Sequence, residues 1–303
     1  MLDGVQTYQC TVCTKRFRNK RKEHTKEEES VWHDYVFKKQ VLRELIEDYH
    51  RDIRTLHQYL INHVVPAKEH TPRALFVVVD ALYFRKKKHV TPWCAVVFRD
   101  PIQKENLWWG FGPVESTYLY SQGRMELEAL DYTLLGVTGD GLAMIRKVFT
   151  DIPFQMCLVH MERIIIRKIT RNPKTEAGKV LLALVRTLRD TPSVFWQARF
   201  RQYVDRYRGF LNERTYHPES GTSSWTHQEL RSAVLSLKQF EPFLFTHETV
   251  RQLPQTSNSL EGHFGHIRDI VRVHRGISDA LLRKVLCAIF LASTIAPKKK
   301  RLP

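Results

Sequence analysis

Cysteine, long apolar runs and acidic side chains are all scarce in this sequence. Five cysteines in 303 residues are an odd number spread along the chain, which argues against a disulfide framework and for reduced thiols. The longest apolar run, at residues 285–295, is well short of the roughly 20 residues that a membrane-spanning helix needs. The first residues also lack the apolar segment of a secretory signal. These absences predict a cytoplasmic protein that does not insert into a membrane.

The shortage of acid leaves a large excess of positive charge. Lys and Arg total 48 against 32 Asp and Glu, for a formal net charge of +16 and a pI near 9.7. Basic side chains gain affinity for phosphates by releasing condensed counterions, so the charge favours a nucleic acid as partner. A ribosome-associated protein, or a basic protein that is merely well solvated, is the alternative at this point.

Residues 1–29 contain the pair Cys10 and Cys13, followed by a dense basic run. Two thiolates can bind a tetrahedral zinc ion, but the ion needs four ligands and no second C-x-x-C pair exists. His24 and His33 have a spacing that fits no standard zinc finger. The segment therefore predicts a partial zinc-ribbon remnant or a basic arm rather than a closed zinc site, and zinc binding is doubtful.

Residues 30–66 have the apolar periodicity of two short helices, with a break between His50 and Asp52. Asp52 is placed to cap the second helix, and the pair predicts a helix-turn-helix DNA-binding domain. A plain helical hairpin is the alternative. The side chains suited to phosphates and major-groove base edges are Arg51, Arg54, Thr55, His57 and Gln58.

Between about residues 72 and 170 the patterns predict the order β-β-β-α-β-α-β, which gives an α/β domain with a mixed sheet flanked by helices. The last of these strands is FQMCLVH, which runs through Cys157 and His160. Asp80 and Asp140 each lie near the carboxyl end of an apolar strand, where such sheets bind ligands. If the two strands are neighbours, the carboxylates converge, and a divalent cation such as Mg²⁺ is the usual partner of such a pair. Capping of the following turn is the alternative for either aspartate.

Three further residues could add to this site. Glu261 falls in the first turns of a helix, although its spacing from Asn258 is that of a capping box, which favours a structural role. Cys157 and His160 lie three residues apart, but two ligands do not close a zinc site. A buried cysteine with a hydrogen-bonded histidine is therefore the preferred interpretation.

The stretch from about residue 172 to residue 250 is too long for a simple connection and predicts a helical insertion, with a loop of Pro, Gly and Ser before its last helix. Its arginines suit a DNA backbone, and Trp225 suits stacking on an unpaired base. A solvated basic face and a core tryptophan are the alternatives, and both are favoured on residue type alone.

Four motifs in this order resemble the DDE transposases of the Mutator-like type and their bacterial insertion-sequence relatives. They are VVV before Asp80, GVTGDG with Asp140, CLVH with Cys157 and His160, and TSNSLEGHF with Glu261. The helices of residues 30–66 also look like the family's N-terminal helix-turn-helix. YQCTVCTKRF looks like the second half of its zinc ribbon, whose first C-x-x-C is missing here.

The resemblance implies a ribonuclease-H-like catalytic domain at residues 67–303 in which Asp80, Asp140 and Glu261 bind two Mg²⁺ or Mn²⁺ ions. The implied activity is that of a transposase, which binds terminal inverted repeats, cleaves a strand and joins the freed 3′ end to target DNA. The expected partners are transposon ends, target DNA and further copies of the chain in a homodimer or higher oligomer.

The expected location is the nucleoid of a prokaryote. Two other functions stay open: a catalytically inactive, sequence-specific DNA-binding protein derived from such an enzyme, and a ribonuclease-H-like nuclease or resolvase.

Overall fold

The computed structural model describes residues 7–9, 11, 16–18, 22–84, 92–274 and 276–293. Contacts between residues divide the chain into two units. The first contains the described residues up to 68 together with 266–292, and the second contains those from 69 to 265 together with 293. Cys10 and Cys13 lie outside the described residues, so the partial zinc site stays a prediction.

The first unit begins with a short antiparallel pair, β1 (Thr7–Gln9) and β2 (Arg16–Arg18). Three helices follow: α1 (Lys22–Val36), α2 (Leu42–Tyr49) and α3 (Ile53–Asn62). Residues 22–29, which were expected in a basic arm, therefore begin a helix. Packing of α1 against α2 and α3 stabilises that helix.

The break predicted between the two short helices is confirmed. After α2, His50 adopts a left-handed φ of 49°, and Asp52 is the N-cap of α3. The Asp52 carboxylate accepts hydrogen bonds from the backbone N–H of Arg54 at 2.9 Å and of Thr55 at 3.0 Å. These bonds satisfy N–H groups that have no partner within the helix.

The second unit is built on a five-stranded mixed sheet in the order β5-β4-β3-β6-β7. Its strands are β3 (Ala74–Phe84), β4 (Trp93–Asp100), β5 (Glu105–Gly112), β6 (Thr133–Gly139) and β7 (Phe154–Met156). β3, β4 and β5 pair antiparallel, whereas β6 is parallel to both β3 and β7. With α4 (Thr117–Ala129) and α5 (Ala143–Val148) between the last three strands, the predicted element order and the α/β class are confirmed.

Mostly helical structure follows the sheet. It comprises α6 (Leu158–Ile169), α7 (Glu176–Arg186), α8 (Ser193–Arg206), α9 (Arg208–Leu211), the hairpin β8 (Arg214–His217) and β9 (Thr222–Trp225), α10 (Gln228–Leu244) and α11 (Thr246–Thr249). The Gly- and Ser-containing stretch before α10 was expected to be a loop and is instead this hairpin. Helices α12 (Asn258–Val273) and α13 (Asp279–Ala292) complete the described chain, and the division between the units falls within α12.

The buried core of the second unit runs from the sheet into the helices that follow it. Phe98 and Val137 of the sheet belong to the same buried cluster as Leu181, Trp196 and Leu237 of the helices. The residues predicted as an insertion therefore pack onto the sheet. None of the described helices is both long and apolar enough to cross a membrane.

Replacing Asp52 tests the cap of α3. We expect Asp52→Ala to lower the free energy of unfolding of the first unit by about 1 kcal/mol, because two backbone N–H groups lose their acceptor. Asp52→Asn is the matched control, since asparagine caps helices about as well as aspartate. Urea denaturation followed by circular dichroism measures the difference, and equal stability of the alanine and asparagine variants would contradict the assigned cap.

Candidate carboxylate site

Strand register brings Asp80 and Asp140 to the same edge of the sheet. β3 and β6 are parallel neighbours in which Val78 lies opposite Thr138, and each aspartate is two residues further along its segment. Because β6 ends at Gly139, both carboxylates come level just beyond that end. Asp80 was expected near the end of its strand but lies within it, because β3 continues to Phe84 as the antiparallel partner of β4.

Asp80 is half-buried, and its environment disfavours a negative charge. Its carboxylate accepts a hydrogen bond from the backbone N–H of Ala81 at 2.8 Å. Burial raises the pKa of Asp80 to about 7. The charges of Asp140 and Glu115 also raise it, whereas the positive charge of His160 lowers it. The four side chains are therefore close enough to act on one another electrostatically.

Asp140 lies in a turn that requires the glycine after it. Its carboxylate accepts a hydrogen bond from the Leu142 N–H at 3.0 Å, and burial raises the pKa of Asp140. Gly141 has a φ of +85°, and a Cβ there would lie 2.3 Å from the Met156 sulfur and 2.9 Å from the Phe240 ring. The residue before α5 is Leu142, so Asp140 closes this local turn without capping the helix.

Glu261 reaches the site because the residues before α12 are bonded to the sheet region. The Thr138 hydroxyl donates to the Pro254 carbonyl at 2.6 Å, and the Leu158 N–H donates to the Gln255 carbonyl at 3.0 Å. α12 therefore begins beside α6. As a result, the Glu261 carboxylate lies 3.8 Å from Nε2 of His160.

The capping-box prediction for Glu261 is wrong. α12 begins at Asn258, and the carbonyl of Ser257 accepts from the N–H groups of Leu260 at 2.9 Å and Glu261 at 3.1 Å, which makes Ser257 the N-cap. The Glu261 carboxylate instead binds the Arg163 guanidinium through two bonds, of 2.8 and 2.6 Å. Glu261 therefore bonds to a residue of another helix, α6, rather than to the backbone at the start of its own helix.

Cys157 and His160 start a helix, whereas the sequence predicted a strand through both. β7 ends at Met156, Cys157 is the N-cap of α6, and His160 lies in its first turn. A helical turn places residues three apart on one face, so the pair meets. The Ser257 hydroxyl donates to Cys157 Sγ at 3.2 Å and lies 3.3 Å from Nδ1 of His160.

Cys157 and His160 also shift each other's protonation. Burial raises the pKa of the Cys157 thiol, but hydrogen bonds from His160 and Ser257 outweigh it, so the pKa is lowered overall. Burial likewise opposes the charged form of His160. Its bond to Cys157 and the negative charges of Asp80 and Glu261 nevertheless raise the pKa of His160 to about 9.

Glu115 is a fourth carboxylate beside this site, and no motif in the sequence marks it. It lies in the connection between β5 and α4, where it accepts hydrogen bonds from the hydroxyls of Tyr83 at 2.9 Å and Tyr120 at 2.5 Å. Burial raises the pKa of Glu115, and the charge of Asp140 adds to the effect. The two tyrosines come from separate elements, so only the tertiary structure brings them to the glutamate.

The residues predicted to bind DNA, which lie in α3 and just before it, differ in how many hydrogen bonds they make within the first unit. Arg51 forms two hydrogen bonds with Glu27, at 2.7 and 2.9 Å. The Thr55 hydroxyl donates to Asp52 at 2.7 Å, and Gln58 donates to Asn62 at 2.8 Å. Arg54 and His57 are exposed.

Trp225 is half-buried at the end of β9 rather than in the core. The guanidinium carbon of Arg214 lies 4.5 Å from its ring centroid, and that of Arg231 lies 4.0 Å away. Such contacts stabilise the ring by cation–π attraction. An unpaired base that stacks on Trp225 would have to displace at least one of these guanidinium groups. The role of Trp225 in DNA binding stays a prediction.

The sequence matches no protein-family model and no curated protein. The chemistry of the site has to be inferred from its own side chains. Asp80, Asp140 and Glu261 offer oxygen ligands of the kind that Mg²⁺ and Mn²⁺ prefer. The raised pKa values of Asp80 and Asp140 indicate that their negative charges are poorly compensated by the protein alone. The oxygen donors of Asp80 and Asp140 therefore suit a divalent cation. Among the described residues, however, the three ligand atoms that lie within 4.8 Å of one another belong to Cys157, His160 and Glu261.

Gly141→Ala tests the turn that carries Asp140. We expect this variant to lower the melting temperature by several degrees, because the added Cβ meets the Met156 sulfur and the positive φ costs about 1–2 kcal/mol for a residue other than glycine. Gly209→Ala is the matched control, since nothing lies within 4 Å of the Cβ it would add. Equal melting temperatures for the two variants would show that the turn tolerates a side chain.

The pH dependence of stability tests the environment of Asp80. A carboxyl group whose pKa is raised by folding binds its proton more tightly in the folded state, so stability falls as pH rises from about 4 to 7. In a buffer containing a chelator, Asp80→Asn should therefore melt several degrees above wild type at pH 8 and close to it at pH 4. Asp190→Asn, at an exposed carboxylate, should show no such difference. An Asp80→Asn profile parallel to wild type would contradict the assignment.

Proposed function

We propose that the protein is a DDE transposase, which cleaves DNA at the ends of a mobile element and joins the freed 3′ end to target DNA. The proposal rests on one observation: strand pairing brings Asp80 and Asp140 level at one edge of the sheet, and His160, whose charge acts on both, lies 3.8 Å from the Glu261 carboxylate. The confirmed element order and the mixed sheet support a ribonuclease-H-like catalytic fold for the second unit. The excess of Lys and Arg supports a nucleic-acid substrate.

In this proposal Asp80, Asp140 and Glu261 hold two divalent cations, Mg²⁺ or Mn²⁺. When bound, such a pair lowers the pKa of the attacking water or 3′-hydroxyl and stabilises the leaving oxygen. Asp80 lies within β3 and Asp140 lies in the turn after β6, and the pairing of the two strands brings their carboxylates level. Arg163 holds both oxygens of Glu261 and so sets the orientation of that carboxylate.

The positive side chains of the site have a separate role in the proposal. His160 is half-buried between Cys157 and Glu261, and its raised pKa keeps it charged at neutral pH. A positive charge there compensates the carboxylates before a cation binds and attracts a phosphate afterwards. Arg163, with about half of its side chain exposed, is placed for the same electrostatic contact.

DNA recognition is assigned to the helices of the first unit. α2 and α3 have the lengths, the turn and the capped second helix of a helix-turn-helix, and Arg54 and His57 are exposed on the second helix. Binding to transposon ends and to target DNA, and assembly of at least two copies on DNA, belong to the same proposal. So does location at the nucleoid of a prokaryote.

A second function, that of a catalytically inactive DNA-binding protein, is favoured by the ion pair between Glu261 and Arg163. This pair already neutralises the third carboxylate. If Arg163 does not share Glu261 with a cation, the site cannot hold two ions, and binding would persist without chemistry.

Strand transfer tests the proposal directly. The substrate is a labelled duplex that carries the end of the DNA element encoding the chain, incubated with Mg²⁺ and a target plasmid. Wild type is expected to cleave and join it, whereas Asp80→Ala, Asp140→Ala and Glu261→Ala should each reduce joining by at least about 1,000-fold, as expected when a ligand to a catalytic metal is lost. Asp190→Ala, at an exposed carboxylate, is the matched control.

Joining by the triple alanine variant would refute the assigned carboxylates. Tight, specific binding by wild type without any cleavage would instead favour the inactive DNA-binding protein.

The assignment of α3 is tested by the salt dependence of DNA binding. Exposed Arg54 is expected to contact a phosphate, so Arg54→Ala should weaken binding and reduce the slope of log K against log salt by about 0.9. Arg51→Ala is the matched comparison and should change the slope less, because Arg51 already pairs with Glu27. Fluorescence anisotropy at several salt concentrations measures the affinity and the slope for each variant. The same slope for Arg54→Ala and wild type would exclude Arg54 from the interface.

A further inference from the structure

We propose that Cys157, His160 and Glu261 form a binding site for a thiophilic divalent ion such as Zn²⁺. One ligand atom from each of the three residues lies within 4.8 Å of the other two. Cysteine, histidine and carboxylate are the ligand types that zinc uses, and three protein ligands with an open fourth position are typical of exposed zinc sites. Glu261 supplies the third ligand that the Cys-x-x-His pair lacks in the sequence.

The fold places these three ligands before any ion binds. Cys157 is the N-cap of α6 and His160 lies in its first turn, so one helix start fixes both. Glu261 lies in the first turns of α12. The two helix starts are joined at Ser257, whose N–H and hydroxyl both donate to Cys157 Sγ at 3.2 Å. The distances between the ligand atoms have to shorten by only about 1 Å to reach those around a tetrahedral zinc ion.

Each of the three ligand side chains is also held in place by a neighbouring residue. Two hydrogen bonds donated to Cys157 Sγ stabilise the thiolate, which is the form that binds metal. Arg163 binds the Glu261 carboxylate, and Ser257 lies 3.3 Å from His160 Nδ1, which leaves Nε2 on the side of Glu261. Such outer contacts orient metal ligands in known sites and increase their affinity.

Burial decides between a metal site and a nucleophilic one. A cysteine that contacts a histidine, which in turn contacts a glutamate, is also the arrangement of a catalytic triad. In that arrangement the three residues are the nucleophile, its base and the acid that orients the base. Cys157, however, has no exposed surface, so an organic substrate cannot reach its sulfur. The side chains of His160 and Glu261 are 19% and 20% exposed, which leaves a route for an ion.

The proposed ion differs in kind from the pair assigned to the aspartates. Sulfur and imidazole select zinc, cobalt or similar ions over Mg²⁺, which prefers oxygen. Glu261 is common to both sets of ligands. If the proposed function is correct, an ion at Cys157 and His160 would therefore compete with the catalytic cations for Glu261 and inhibit strand transfer. The site itself does not depend on that function.

Cobalt absorption tests the site without DNA. The parent protein is the full chain carrying Cys10→Ser and Cys13→Ser, so that the N-terminal thiols cannot contribute. Titration with Co²⁺ is expected to give a sulfur-to-cobalt charge-transfer band at one ion per chain, and one equivalent of Zn²⁺ should remove it. Cys157→Ser should abolish the band, and His160→Gln should weaken Co²⁺ binding at least tenfold. Cys94→Ser, at a buried thiol of β4, should leave the band unchanged.

Two results would overturn the proposal: a parent protein that shows no charge-transfer band, or a band that persists in Cys157→Ser. The parent spectrum decides the question even if a variant fails to fold, and melting curves identify such a variant. Because the titration contains no DNA, its outcome is independent of the strand-transfer test, and either proposal can fail without the other.

Discussion

Burial of neighbouring carboxylates is the physical constraint on the site in the second unit. Asp80, Asp140 and Glu115 act on one another electrostatically, and burial raises the pKa of all three. Glu261 joins them through His160, which lies 3.8 Å from its carboxylate. The fold compensates each of them in a different way. Backbone N–H groups bond to the two aspartates, two tyrosines bond to Glu115, and Arg163 and His160 face Glu261. A cluster that costs stability in this way is typical of a functional site.

Much of the fold can be predicted from the sequence because it depends on local patterns. The apolar runs of β3 and β6 and the amphipathic helices between strands fix the element order, and Asp52 follows the ordinary chemistry of helix caps. Convergence of Asp80 and Asp140 follows once β3 and β6 are neighbours. The element order and the helix cap are confirmed because hydrophobic periodicity and capping need no knowledge of distant residues.

The predictions that are wrong involve partners far away in the sequence. The apolar stretch through Cys157 suits a strand as well as a helix, and the bonds of Ser257 to Cys157 fix the start of α6. Glu261 has capping-box spacing, yet it bonds to Arg163 on another helix. Glu115 lacks any local signal, since its tyrosines come from β3 and α4. Asp80, Asp140 and His160 could thus be identified in the sequence, whereas Arg163, Ser257 and Glu115 could not.

The late position of α12 in the chain has a consequence for protein synthesis. Asp80 and Asp140 belong to the sheet, whereas Glu261 follows the whole run of helices α6 to α11. A nascent chain emerging from the ribosome therefore exposes two of the three carboxylates long before the third exists. Under the proposed function, DNA-cutting chemistry is withheld until translation has passed α12, so incomplete chains released early would be harmless to the genome of the cell.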